Sequence, residues 1–336
     1  MKNVFLSAQP IVETHGGSAT MFALLREEFR EKPDEILEIH RQPPSQLATR
    51  YFRAMSLPAL GLLQLLLPFL PFDFVSRFSF ELLRHLRSLG PCRVIFNYNQ
   101  LLIYPVLVRS LTSQVIVHDV MYDMWRSDPS IRRLFWRLVR FWERRFVRWL
   151  PENATLVFVS EKDRVMLAEG VRCGVRVLDL PQLIAGDSVG RRLPQRQTLA
   201  LRPGVRVGLL GAWARPENRD GATKFLKALS PEVRNGLYFR IAGLGSEALP
   251  DGASITKLGF VKDLGEFFDG IDVFVAPLDS GAGVKIKVLK AIEYGVPLYL
   301  TEKAMEGITL PAGHPNVVEA DCRHLAKRFN CDYVRP

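Results

Sequence analysis

The chain has 336 residues, 48% of them hydrophobic and 24% charged. That balance excludes a disordered or fibrous protein, and at roughly 100–200 residues per domain the length fits two globular domains. The formal net charge of +10 implies an anionic partner, but no C2H2 spacing, RNP-like aromatic run or helix-turn-helix pattern directs that charge to nucleic acid.

Taken in chain order, Val4 to Ala8 reads as a first strand, followed by a loop with Gly16 and Gly17 and a helix from about Ser18 to Phe29. The start at Met1 runs straight into this strand without a signal-peptide layout, which gives the expectation of a cytoplasmic protein. The cysteines Cys92, Cys173, Cys322 and Cys331 lie far apart with neither metal nor redox spacing, and reduced thiols fit the same compartment. Between Leu57 and Phe72 an apolar run is interrupted by Pro58, Pro68 and Pro71. It is shorter than the ~20 residues of a membrane span. The segment is read either as dipping into a membrane interface or lining a cleft for a lipid acceptor, or as a buried helix pair.

Arg93 to Asn97, Gln114 to His118 and Thr155 to Ser160 are further short apolar runs that end in polar residues. Strands alternating with helices predict a parallel, doubly wound α/β sheet. Ligands bind beyond the carboxyl ends of such strands, which makes His118 and Asp119 candidates. From Trp125 to Trp149, arginines such as Arg137, Arg140, Arg144 and Arg148 alternate with Phe, Trp, Leu and Val. Such a helix suits an anionic bilayer surface; an ordinary domain helix with a solvated arginine face has the same pattern.

Periodicity disappears near Ala185 to Pro203, where glycine, proline and arginine collect, so a linker is placed at 185–203 between a first domain, 1–184, and a second, 204–336. In the second domain, Gly211 and Arg215 come after the predicted strand from Val205, and Arg219 is the alternative arginine. The run from Gly243 to Ala248 fits a Gly-x-Gly-x-x-Ala dinucleotide fingerprint, with Asp263 as a ribose-binding acid. Pro250 and Gly252 break the helix that this motif needs, which argues against an oxidoreductase. The most informative stretch is Val273 to Thr301: a buried strand, a glycine turn at Ser280 to Gly283, a helix start bearing Lys285 and Lys287, and a second buried strand. A turn of this kind aims unpaired backbone N–H groups at a diphosphate, and the lysines add charge.

Six landmarks between Val205 and Ile308, in order, resemble the C-terminal domain of the GT-B glycosyltransferases of group 1, or family 4. The resemblance implies a GT-B fold: two Rossmann-like, doubly wound parallel-sheet domains facing across a cleft. It also implies transfer of a sugar, with retained configuration, from a nucleotide-diphosphate sugar to a glycan or lipid-linked acceptor, as in polysaccharide biosynthesis. No metal is expected, because helix-end amides from Gly281 to Val284 and the cations Arg215, Lys285 and Lys287 can stabilise the departing nucleoside diphosphate. In those terms His118 and Asp119 meet a sugar hydroxyl or the acceptor, and Gly16 and Gly17 approach the donor phosphate or the acceptor. Gly211, Gly281, Gly283 and Val284 admit the diphosphate. Arg215, Lys285 and Lys287 neutralise it, while Phe260 and Val261 flank the base and Glu306 closes the sugar or ribose pocket. No cofactor is implied beyond the donor itself.

Two positions depart from the family. Many members carry glutamates where this chain has Ala282 and Lys290. A branch with Gly-x-Gly-x-Lys-x-Lys lacks the first glutamate, and Gly281, Gly283, Lys285 and Lys287 match it. At Lys290 an ammonium, which only donates, stands where a carboxylate would accept from the ribose hydroxyls, leaving Glu293 or Glu306 for that role. The alternative expectation is an inactive glycosyltransferase-like binding or scaffold subunit. Attachment to the inner face of the membrane is the second expectation for its location.

Overall fold

A computed structural model describes residues 1–11, 33–66, 69, 72–120, 133–178, 180, 201–281 and 283–334. Its contacts divide the chain into two compact units, Met1–Leu180 and Pro181–Pro336. Gly16, Gly17, the helix expected from Ser18, residues 185–200 of the expected linker and Ala282 lie outside the described residues.

The first unit is built on strands β1 (Lys2–Ser7), β2 (Glu35–His40), β3 (Arg50–Arg53), β4 (Cys92–Asn97), β5 (Thr112–Val117), β6 (Ala154–Phe158) and β7 (Gly174–Val177). They form one sheet in the order β3-β2-β1-β4-β5-β6-β7, and every pairing is parallel. The order reverses between β1 and β4, which opens a crevice at their carboxyl ends. Val94, Phe96, Val115, Val117, Leu156 and Phe158 are completely or almost completely buried, as expected of a sheet covered on both faces. Ala8, His118 and Ser160 fall just past their ladders, and there Ser160 caps the next helix, Glu161–Leu167, by accepting from Asp163 N.

Strand β2 has no clean apolar signal because Glu38 and His40 both lie in it. Both side chains are buried. Burial alone would raise the Glu38 pKa, but hydrogen bonds from Ser45, Ile11 and His40 outweigh it and hold the carboxyl below its usual range.

Among the helices that matter below, α1 (Leu57–Leu66) and α2 (Phe72–Val75) come from the proline-broken apolar run, and α3 (Arg133–Trp149) is the described part of the arginine-rich segment. The reading of a buried helix pair does not hold for α1. Leu60 is buried, but Leu57, Leu62, Leu65 and Leu66 are exposed.

The second unit comprises β8 (Arg206–Leu210), β9 (Tyr238–Ala242), β10 (Ile255–Gly259), β11 (Val273–Ala276), β12 (Leu298–Thr301) and β13 (Asn316–Glu319). Their order is β10-β9-β8-β11-β12-β13, again with parallel pairings. The reversal lies between β8 and β11. Helix α4 (Pro216–Ala228) comes after β8, and α5 (Ile286–Glu293) after β11. Both helices that open at the switch point therefore present their amino-terminal ends there. Helix α6 (Cys322–Asp332) packs on α4 through Phe329, whose ring meets Phe225 at 5.3 Å.

Candidate functional site

In the second unit, the glycine turn after β11 is fixed from several directions. Leu278 exchanges hydrogen bonds with the buried Thr301 hydroxyl. Asp279 accepts from Cys322 N at 2.9 Å and from Lys224 Nζ at 2.8 Å. Helix α4 presses against the same turn: a Cβ added to Gly221 would lie 2.0 Å from Pro277 O. Only glycine permits that approach. Gly281 and Gly283 then adopt φ of 106° and 73°, the left-handed region that glycine enters without strain.

Five side chains gather on this scaffold. Lys287, in the first turn of α5, donates through Nζ to Asn218 Oδ1 at 2.8 Å, and Asn218 Nδ2 donates to Ala212 O at 3.0 Å. Arg215, the residue that caps α4, reaches Glu217 through Nε at 2.6 Å. Glu217 lies beside Gly281, within 3.5 Å of where its Cβ would be. Lys285 folds its ammonium back onto Gly283 O. Burial, then the charges of Lys285 and Arg215, push the Lys287 pKa down to about 7, against a smaller opposing pull from Glu217. A cationic cluster at a glycine turn between two helix starts is built to receive an anion.

Gly211 ends β8 at the same place. Its carbonyl would lie 1.8 Å from a Cβ on Gly243, which has φ of 113°. Gly245 (φ 83°) likewise lies close to the backbone of Ala214. The two glycines of the dinucleotide-like run thus serve the packing of the loop after β9 against the loop after β8. After them comes a single 3₁₀ turn, Ser246–Ala248, which agrees with the argument against a dinucleotide site.

The structure therefore brings together Gly211, Arg215, Gly281, Gly283, Val284, Lys285 and Lys287, and adds Glu217 and Asn218, which in the sequence stand out only as part of a helix opening. Phe260 and Val261 stand apart, beyond the end of the edge strand β10. Phe260 is 37% exposed, so its ring is not part of the core. Lys290, one turn beyond Lys287, pairs with Glu293 at 2.7 Å, and Glu306 pairs with Lys303 at 2.7 Å. Both glutamates considered for the ribose thus have lysine partners. Arg219 meets Asp220 at 3.2 Å on the exposed side of α4.

In the first unit a second polar group collects at the ends of β1, β4 and β5. His118 Nε2 lies 2.6 Å from Asn97 Oδ1, and Asn97 Nδ2 donates to Ser7 Oγ at 3.3 Å. Since Oδ1 only accepts, Nε2 carries the proton and Nδ1 keeps its lone pair. Burial pushes the His118 pKa down to about 4. The ring is therefore neutral at pH 7. Tyr98 packs against it at a tilt, centroids 4.3 Å apart, and holds φ of 97°, uncommon for a non-glycine residue. The Tyr98 hydroxyl reaches Gln9 Oε1 at 3.4 Å, and burial followed by the charge of Asp119 pushes its pKa up to about 12. Asn99 links the two loops, donating to Asp119 O at 3.0 Å and to the buried Glu143 at 3.1 Å. The strand-end rule applied to β4 would have found Asn97 and Tyr98; the backbone twist at Tyr98 has no sequence signal.

Residues 204–328 match the family model described as glycosyl transferases group 1. The fold is GT-B. Solved structures similar over nearly the whole chain include HepE of Anabaena in complex with UDP, at 13% identity and a TM-score of 0.60, covering 98% of this chain and 89% of that one. WaaG, a glycosyltransferase involved in lipopolysaccharide biosynthesis, gives 12% identity and a TM-score of 0.61, with coverage of 98% and 90%. An α,α-trehalose-phosphate synthase (UDP-forming) from Burkholderia vietnamiensis gives 14% and 0.59, with coverage of 97% and 89%. No curated protein matches by sequence. The group 1 match spans the same segment, Val205 to Ile308, whose landmarks carried the resemblance.

Proposed function

We propose that this protein transfers a sugar from a nucleotide-diphosphate sugar to a glycan or lipid-linked acceptor. The observation that carries the reading is the convergence of Arg215, Lys285 and Lys287 on the glycine turn, with Lys287 short of counter-charge. A diphosphate supplies that charge. The relatives HepE, bound to UDP, and the UDP-forming synthase support a uridine nucleotide as the first donor to try.

In this reading the turn from Gly281 to Val284 gives backbone N–H groups to the diphosphate, and the three cations stabilise the negative charge that grows as the sugar bond breaks. Those cations make the reaction metal-independent. The group 1 resemblance supports retention of configuration. His118, neutral and fixed by Asn97 and Tyr98, accepts a sugar hydroxyl hydrogen through Nδ1, and Asp119 stands beside it. Gly16 and Gly17 keep their proposed place near the donor phosphate or the acceptor. Phe260 and Val261 flank the base, and Glu306 closes the pocket. The protein works in the cytoplasm on polysaccharide or lipid-linked glycan synthesis, attached peripherally to an anionic membrane through the arginines of α3.

The competing reading, an inert glycosyltransferase-like subunit, is favoured by Lys290, whose ammonium is already committed to Glu293. Turnover of a panel of nucleotide sugars, monitored by mass spectrometry, tests the two. An active wild type that is harmed by Lys290→Glu supports transfer. A wild type inert with every donor, whose nucleotide affinity improves on the same change, overturns it.

A further inference from the structure

We infer that the exposed leucine face of α1 inserts into the interface of an anionic bilayer, with α3 lying beside it as the cationic flank. The inference deepens the membrane attachment proposed above and rests on it, by naming the element that enters the lipid.

Helix α1 contains no charged residue. It turns Leu62, Leu65 and Leu66 outward at 61%, 82% and 69% exposure, and the patch continues to Phe69 at 77%. A surface apolar patch of this kind marks a docking face. The patch is held firmly on α3: Trp142 Nε1 donates to Phe69 O at 2.8 Å, and Phe74 of α2 packs on Phe146 of α3 at 4.6 Å between ring centroids.

The charge on α3 identifies the occupant. Arg137, Arg145 and Arg148 are exposed, and Arg145 lies over the Trp149 ring at 4.9 Å. The single acid of α3, Glu143, is buried. Among the described residues of α3, the outward side carries Arg137, Arg145 and Arg148 beside the rings of Phe141 and Trp149, and Arg144 reaches Glu169 at 3.9 Å. Arginine and tryptophan settle at the level of lipid headgroups while aliphatic side chains pass below them. A protein partner with acidic residues would complement the arginines, but it would leave the leucine face to a separate apolar surface. One anionic bilayer satisfies both. Ten residues of helix rise about 15 Å, half of the ~30 Å hydrocarbon layer, so α1 lies in the interface and does not cross it. Among the described residues no helix is long and apolar enough to cross a membrane.

The test is flotation of the full-length protein with extruded vesicles, either pure phosphatidylcholine or about one third phosphatidylglycerol, at low and high salt. Two variants are compared: Leu62→Ser with Leu65→Ser and Phe69→Ser, and Arg137→Gln with Arg145→Gln and Arg148→Gln. All six positions are exposed, and circular dichroism with thermal melting confirms that each variant folds. The wild type is expected to float with the anionic vesicles and to keep a residual bound fraction at high salt. The serine variant should lose that residual and bind roughly tenfold less at low salt, in keeping with the transfer of several large apolar side chains. The glutamine variant should lose mainly the salt-sensitive part. A serine variant that floats like wild type while the glutamine variant is released overturns the insertion and leaves electrostatic attachment standing. A wild type that fails to float at low salt overturns both. Concentration-dependent dimerisation abolished by the serine changes, with no flotation, assigns the patch to a second copy of the chain and likewise overturns the inference. Nucleotide affinity measured without vesicles is expected to be the same in both variants, which separates any failure here from failure of the transferase reading.

Discussion

Lys287 holds its proton at a cost, because it is withdrawn from water and faces Lys285 and Arg215. In the unfolded chain it stays protonated up to about 10.5, in the folded one only to about 7. Between those values the unfolded state binds more protons, so this group makes stability rise with pH from about 7 towards 10.5. The ligand-free protein should therefore melt at a higher temperature at alkaline pH, and Lys287→Met should flatten that rise. Binding a nucleoside diphosphate restores the missing counter-charge and raises the lysine pKa. Calorimetry at mildly alkaline pH, in two buffers of different ionisation enthalpy, should then register proton uptake on binding, and Lys287→Met should abolish it. At the other site, His118 is already neutral above about pH 4. Its own titration should leave no inflection in the rate between about pH 5 and 8. His118→Ala should lower kcat/KM by about 1–3 kcal/mol, the scale of one buried hydrogen bond, with nucleoside diphosphate affinity unchanged.

Between β9 and β8, a carbonyl would lie 1.8 Å from any Cβ at Gly243, and the positive φ adds strain. Gly243→Ala should thus destabilise the second unit by more than the ~1 kcal/mol of a tolerated glycine change, as read by chemical denaturation. Gly283→Val acts differently. Gly283 lies in the turn itself, so the bulkier residue should block nucleotide binding more than it weakens folding. Lys285→Ala should cost about 1.5–3 kcal/mol of binding, the worth of a charge-assisted hydrogen bond. Much of this unit was legible in the sequence, because Val273–Ala276 is a continuous β-branched and aromatic run and Val288, Leu289, Ala291 and Ile292 recur at helical spacing on the buried face of α5. Strand β2 was not legible, since its Glu38 and His40 pair only through folding. The cluster at Lys287 was legible as charge but not as geometry: nothing in the order of residues reveals that Asn218, 69 positions earlier, accepts its hydrogen bond. Helix α1 was read two ways because an apolar run alone does not say which of its leucines the core will take.

At the scale of the molecule, each sheet draws only on its own contiguous stretch, β1 to β7 in one and β8 to β13 in the other. Each also has its own buried apolar core, around Phe96 and Phe158 in the first unit and around Phe225 and Phe329 in the second. Differential scanning calorimetry should therefore resolve two transitions. A nucleoside diphosphate should shift only the transition of the unit containing Lys287, by an amount that grows with the logarithm of its concentration. Among the described residues, no strand of either sheet is borrowed from the other stretch. A single recombination crossover between the units would accordingly break no strand pairing among the described residues. In hybrid genes made that way, donor preference should be inherited from the parent of one segment and acceptor preference from the parent of the other, so new pairings become reachable without passing through an unfolded intermediate sequence.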